Sequence, residues 1–186
     1  MILSQNQALV VCIGNELAGD DAVGWHVYRK LVAHELPESV TVLFLSVSGF
    51  ALLDVMSGQD LLLIIDAVSL GNPIGTVTVF AEVELPLSPG AAVSIHGVGI
   101  REALEIASAL TPDAKPKNTM FIGIEGSQFD QLGSDLHPEV AKAIEPVVDI
   151  VLRLLEQDCT QSLPELHSKL ESKNVPTNET IEMRSL

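Results

Sequence analysis

The sequence predicts a three-layer α/β/α sandwich, with a twisted, mostly parallel sheet of about five strands flanked by helices. Three observations predict it. Short apolar runs alternate along the chain with segments of helical period. The runs are continuous rather than alternating, as in Leu61 to Ile65 (LLLII), which is how strands covered on both faces read. The chain is 47% hydrophobic but only 4% aromatic, so its apolar mass is mainly Val, Leu, Ile and Ala.

The elements follow in order. Ala8 to Ile13 (ALVVCI) is a buried strand, and Gly14 to Asp21 is the loop behind it. A helix is expected to start near Asp20 or Asp21, either of which can cap it. Its stripe is Val23, Val27 and Leu31, and Pro37 closes it. Val40 to Leu45 is a second strand. Ser48 is the expected cap of a short helix through Leu52, Leu53 and Met56 that Gly58 ends. Leu61 to Ile65 is the strongest strand, with Asp66 at its carboxyl end. Gly71-Asn72-Pro73 makes a turn, Thr76 to Phe80 a strand, and Leu85 to Gly90 a loop with two prolines. Gly97 to Leu110 reads as a helix, Thr119 to Ile124 as a strand, and Pro138 to Glu156 as a long helix.

Past Gln157 the sequence turns rich in Ser, Glu, Lys, Thr and Asn. The expected organisation is one α/β domain over 1–156 and a polar, disordered tail over 157–186, with a short helix near Leu163 to Leu170. No internal repeat is present.

Composition removes several function classes. The formal net charge is −15 and the sequence pI about 4.5. Such a field repels nucleic-acid phosphates and anionic membrane surfaces and tolerates cations. No apolar run approaches the ~20 residues that span a bilayer. The two cysteines, Cys12 and Cys159, form neither a disulfide framework nor a CxxC pair, which suits a reducing compartment. Met1-Ile2-Leu3-Ser4-Gln5-Asn6 has no basic start and no small-residue cleavage site, so no signal peptide is expected. The expectation is a soluble, cytoplasmic protein.

In parallel sheets ligands bind beyond the carboxyl ends of the strands. That rule selects the loop after Ile13, the end of the Leu61 strand and the approach to the Gly97 helix. Asp21, Asp66 and His96 stand there. Two carboxylates and one imidazole suit a divalent transition ion with an open position. Each has a plainer reading. Asp21 can be a helix cap, Asp66 can accept nearby backbone N–H groups, and a histidine before a helix is more often structural than a ligand.

Other chemistries fit less well. Gly14, Gly19 and Gly24 do not make GxGxxG, no Walker lysine follows, and Asp20 and Asp21 would repel phosphates. Cys12 lies inside a strand and reads as core. No GxSxG surrounds a serine; Ser46, Ser48 and Ser94 reach His96 only if folding brings them there. His26, His34, His137 and His167 have no partners at ligand spacing, and Trp25 and Tyr28 read as packing residues.

Ile13-Gly14-Asn15-Glu16-Leu17-Ala18-Gly19-Asp20-Asp21-Ala22-Val23-Gly24 resembles the signature of the nickel-iron hydrogenase maturation endopeptidases. Ile64-Ile65-Asp66-Ala67-Val68 resembles that family's second motif, and Ser94-Ile95-His96-Gly97 its third. Gly123-Ile124-Glu125 and Ile144-Glu145-Pro146 are similar to its late strand and terminal helix. The resemblance runs from about Ala8 to Glu156, with the motifs in order.

It implies a hydrolase that removes a C-terminal peptide from the precursor of a [NiFe] hydrogenase large subunit after nickel insertion. Residue by residue, it puts the nickel contacts and the catalytic role on Asp21, Asp66 and His96. The nickel belongs to the substrate, so the free enzyme need not hold it. A second reading stays open: a non-catalytic metal-sensing chaperone that binds the immature subunit. The oligomeric state, the cleavage residue and the general base are not specified. Four features depart from the family: Cys12 where many members have Gly, Ser46-Val47-Ser48-Gly49 in place of a Gly-rich stretch containing Thr, Gly126 where Pro is common, and a longer tail.

Overall fold

The computed structural model describes residues 7–46, 51–81, 97–156 and 181–183, with backbone alone at 97–99 and 181–183. Its strands are β1 (Ala8–Ile13), β2 (Val40–Leu45), β3 (Leu61–Val68), β4 (Val77–Ala81), β5 (Asn118–Glu125) and β6 (Ile181–Met183). Its α-helices are α1 (Val23–Leu31), α2 (Leu52–Val55), α3 (Gly97–Leu110) and α4 (Pro138–Glu156). The strands form one sheet in the order β2-β1-β3-β5-β4-β6. The first four in that order run parallel, while β4 is antiparallel to β5. This is the three-layer α/β sandwich that the apolar runs predict, with β6 added at one edge.

The two faces of the sheet follow from the period of two along each strand. Leu61, Leu63, Ile65 and Ala67 of β3 pack with α1 and α4. Leu62, Ile64 and Val68 pack with α2 and α3. Both sets are buried, so β3 has no polar side to show and its sequence cannot alternate. Each fully buried aliphatic side chain contributes about 1.5–3 kcal/mol by leaving water, and this double cover makes β3 the anchor of the fold. The expected packing role of Trp25 and Tyr28 holds: both rings meet Phe44 of β2, with centroids 5.0 and 6.0 Å away.

Three boundaries differ from expectation. A 3-10 turn, Gly19–Ala22, intervenes between the first loop and α1, and neither it nor α1 has a side-chain cap. Asp20 and Asp21 therefore do not cap a helix. Second, β3 continues through Asp66 to Val68, because β5 pairs with it along its whole length, Asp66 opposite Gly123 and Val68 opposite Glu125. Third, Ile181–Met183 pairs parallel with β4, Val77 opposite Ile181, so part of the expected tail joins the sheet. Ser48, the Leu85 to Gly90 loop and the Leu163 to Leu170 segment lie outside the described residues. Among the described residues, no helix is long and apolar enough to cross a membrane.

Candidate active site

The strand order places the site. From β1 the chain moves through α1 to β2 on one side; from β3 the sheet continues on the other side to β5. The helices lie on opposite faces, α1 on one and α3 on the other. The crevice between the carboxyl ends of β1 and β3 is thus a topological switch point, where open α/β sheets bind ligands. Cys12 pairs in register with Ile65, so Ile13, the end of β1, is level with Asp66.

Gly14 starts the turn out of β1. Its φ is +148°, and a Cβ there would lie 2.1 Å from the carbonyl oxygen of Asp21. The chain closes back on itself over this glycine. Asn15 donates its N–H to the Asp21 carboxylate at 3.1 Å, and Leu17 donates its N–H to the Asn15 side-chain oxygen at 3.1 Å. Gly24 allows the same closeness below, since a Cβ there would meet the Ile13 carbonyl oxygen at 2.0 Å. Asp21 is thereby folded over the end of β1, buried, in a turn that packs against β3.

Asp66 is fully buried. By the alternation along β3 it falls on the Leu62, Ile64 and Val68 face, which is the face that α3 covers. Its Oδ1 accepts the N–H of Ala67 at 2.8 Å. Its charge is felt across the sheet: the Cys12 thiol is pushed far up by burial first and by the Asp66 carboxylate second. Cys12 is thus a protonated core residue, as its position in an apolar strand suggests.

The structure packs the 3-10 turn that carries Asp21 against β3, the strand that carries Asp66. Both carboxylates are buried, and a charge taken out of water needs a hydrogen bond or a counter-charge. The third expected member, His96, lies outside the described residues; in the sequence it immediately precedes Gly97, the first residue of α3. Among the described residues, no three His, Cys, Asp or Glu side chains gather as a ligand set.

Two further carboxylates act close by, and neither is marked in the sequence as different from a ligand. Asp20 is fully buried. Its Oδ2 accepts the N–H groups of Ser127 at 2.8 Å and Gln128 at 2.9 Å, and its Oδ1 accepts that of His137 at 2.7 Å. Its own N–H donates to the Gln128 carbonyl at 2.7 Å. One carboxylate thus ties the first loop to the segment between β5 and α4. Glu125 does the same for the turn after β3, accepting the N–H groups of Leu70 and Gly71, each at 2.9 Å. A carboxylate directly after an apolar strand was the available signal for Glu125, the one that singled out Asp66. His137, one of the histidines without partners at ligand spacing, accepts the Glu139 N–H on its ring Nδ1 at 3.2 Å at the start of α4. Gly126 donates its N–H to the Val68 carbonyl at 3.0 Å; a proline there would lose that bond.

The model of the hydrogenase maturation protease family matches residues 25–154. This chain belongs to the hydrogenase maturation proteases. The matched span contains Asp66 and His96 and begins four residues after Asp21. The hydrogenase expression/formation protein HupD of Thiocapsa roseopersicina is 30% identical over 175 residues, covering 93% of this chain and 78% of that protein. The fold is similar to the hydrogenase maturating endopeptidase HybD from E. coli, with a TM-score of 0.71 and 28% identity over 80% of this chain and 91% of that one. It is also similar to the [NiFe] hydrogenase maturation protease HybD from Thermococcus kodakarensis, with a TM-score of 0.67 and 28% identity over 81% and 99%. The expected hydrolase activity follows: the protein is a maturation protease, an endopeptidase of hydrogenase assembly.

Proposed function

We propose that this protease cuts a C-terminal peptide from the nickel-loaded precursor of a [NiFe] hydrogenase large subunit, and that Asp21, Asp66 and His96 read the nickel. The observation that carries this reading is the pair of buried carboxylates, Asp21 and Asp66, at the switch point between β1 and β3. Nickel arrives as part of the substrate. Carboxylate and imidazole ligands suit such an ion. Ligation would hold the precursor in one register, so that a single peptide bond lies beside the enzyme. Holding reactants in place contributes several kcal/mol to a barrier. A precursor without nickel lacks the anchor and is passed over.

The chain's own residues supply the rest. Asp66 is oriented by the Ala67 N–H and Asp21 by the Asn15 N–H, so both carboxylates are set before the substrate arrives. The apolar side chains packed around β3 keep Asp66 out of water, which strengthens its attraction to a metal. A carboxylate beside the bound ion can take a proton from water. The location this reading assigns is the cytoplasm, in keeping with a buried Cys12 that forms no disulfide.

The test is a mass comparison of a nickel-loaded large-subunit precursor incubated with and without the protein. Loss of a short C-terminal peptide only in the presence of nickel is the expected result. Binding with no change in mass would replace the protease by a metal-sensing chaperone at the same crevice.

A further inference from the structure

The sixth strand is informative by its place and by its direction. Ile181–Met183 lies along the outer edge of β4, with Val77 opposite Ile181, Thr78 opposite Glu182 and Val79 opposite Met183. Three residue pairs make a short contact that another strand can replace. Val77, Thr78, Val79 and Phe80 are buried and uncharged. An aliphatic strand at the edge of a sheet is a template for a further strand.

The register ties that edge to Asp66. Asp66 of β3 stands opposite Gly123 of β5, and Gly123 stands opposite Thr78 of β4. One row across the sheet thus runs from Asp66 to the position of Glu182, a span of about 14 Å at the usual spacing of strands. About five extended residues cover that distance. Because β4 is antiparallel to β5, Val77 lies at the carboxyl ends of β3 and β5, the site end of the sheet. β6 runs parallel to β4, so it starts at the site end and leads away. A polypeptide in the place of β6 therefore has its preceding residues towards the site and its following residues along β4.

The row also holds an unmet polar group. Thr78 is fully buried, and its hydroxyl has no hydrogen-bond partner among the described residues. A buried hydroxyl without a partner is costly, so a strand that supplied one would bind this edge better than β6 does.

We infer that the edge of β4 binds the segment of the precursor that follows the bond to be cut, as an added parallel strand, and that Ile181–Met183 holds this place until the precursor displaces it. The inference rests on the reading that the enzyme removes a C-terminal peptide. Direction selects the occupant: a chain that passes Asp66 and continues towards its C-terminus meets β4 in the sense that β6 already shows. On such an edge main-chain hydrogen bonds supply affinity, and alternate side chains supply selectivity. The matching segment is extended, with apolar residues beside Val77 and Val79 and a serine, threonine or asparagine beside Thr78.

The test uses the full-length chain and the nickel-loaded precursor. An Ile181→Pro/Glu182→Pro/Met183→Pro variant removes every N–H that β6 can donate. It is expected to bind the precursor about tenfold more tightly, because no strand competes for the edge. A synthetic peptide of residues 180–186 should reverse that gain. Thr78→Val is expected to unfold at the wild-type temperature or above, since the lost hydroxyl has no partner, while its affinity for the precursor falls severalfold. Hydrogen exchange at the amides of residues 77–79 should slow when the precursor binds the proline variant. Unchanged affinity in both variants would overturn the strand site. So would a dimer of the proline variant that the precursor does not dissociate, because a second copy would then be the occupant. A precursor that is shortened normally while those amides stay unprotected would overturn the strand site and leave the C-terminal cut standing. A precursor that protects them yet keeps its mass would overturn the cut and leave the strand site.

Discussion

The carboxylate of Asp20 accepts the backbone N–H of His137 at 2.7 Å, across 117 positions of sequence. With the N–H groups of Ser127 and Gln128 on its other oxygen, it ties the loop after β1 to the segment between β5 and α4. Its neighbour Asp21 faces Asn15 instead. The two adjacent acids therefore do different work, Asp20 joining two distant loops and Asp21 holding the turn after β1.

Removal of the Asp20 carboxylate should accordingly be a stability mutation first. Asp20→Ala leaves three part-buried N–H groups without their acceptor and removes a buried carboxylate. The expected loss is about 3–5 kcal/mol, read as a lower urea midpoint. Asp20→Asn keeps one acceptor oxygen and should lose less. Equal midpoints for the wild type and Asp20→Ala would show that the loops hold together without this carboxylate.

Asp66→Asn should behave in the opposite way. The amide oxygen can still accept the Ala67 N–H, so the fold is expected to survive, with an unfolding midpoint close to the wild type. If Asp66 reads the substrate's nickel as proposed, precursor processing should fall by about a hundredfold. Wild-type rates from this variant would remove Asp66 from the site.

Gly14→Ala is predicted to damage both properties together. At φ +148° an L-residue is strained, and the added Cβ would meet the Asp21 carbonyl oxygen at 2.1 Å. The chain must shift to accept it, at a cost of roughly 1–3 kcal/mol from the backbone alone. The shift carries Asp21 with it. Calorimetry and a processing assay on the same preparation should therefore show a lower melting temperature and a reduced rate.

Cys12 should be inert to thiol reagents while the protein is folded. Its thiol is held protonated by burial and by Asp66, and the thiolate is the reactive form. In a Cys159→Ser background, where Cys12 is the single thiol, labelling should proceed at the rate of unfolding. Fast labelling under native conditions would mean that β1 opens far more readily than its burial implies.

Asp60 gives the stability a defined pH dependence. Its carboxylate accepts the Lys117 ammonium at 2.6 Å and the Gln7 N–H at 2.8 Å. The Lys117 bond first and the Gln7 bond second hold its pKa below the ordinary aspartate value. A depressed folded pKa contributes stability above the unfolded value, and that contribution is lost as pH falls through the folded one. Urea unfolding should thus show Asp60→Asn to be less stable at neutral pH, by an amount that shrinks below about pH 4. A gap that persists at low pH would trace the effect to packing.

The sequence by itself determined the layers, the five strands of the 1–156 domain and the two places where carboxylates follow buried strands. Double burial forces β3 to be aliphatic throughout, so LLLII can be read as a central strand without coordinates. A carboxylate set directly against such a run costs too much to bury idly, which marks Asp66, and the doubled acid after β1 marks the Asp20–Asp21 pair. What only the tertiary structure decided is how that pair divides. Three residues per turn in a 3-10 segment send consecutive side chains about 120° apart, so one acid meets the 126–137 segment and the other returns to the strand end. The same applies to Glu125 as a clamp on Leu70 and Gly71, to the reach of β3 past Asp66, and to the seating of Ile181–Met183 on β4. Each depends on backbone groups brought together from distant parts of the chain, and a hydrogen bond to a backbone N–H leaves no trace in the identity of the residue that donates it.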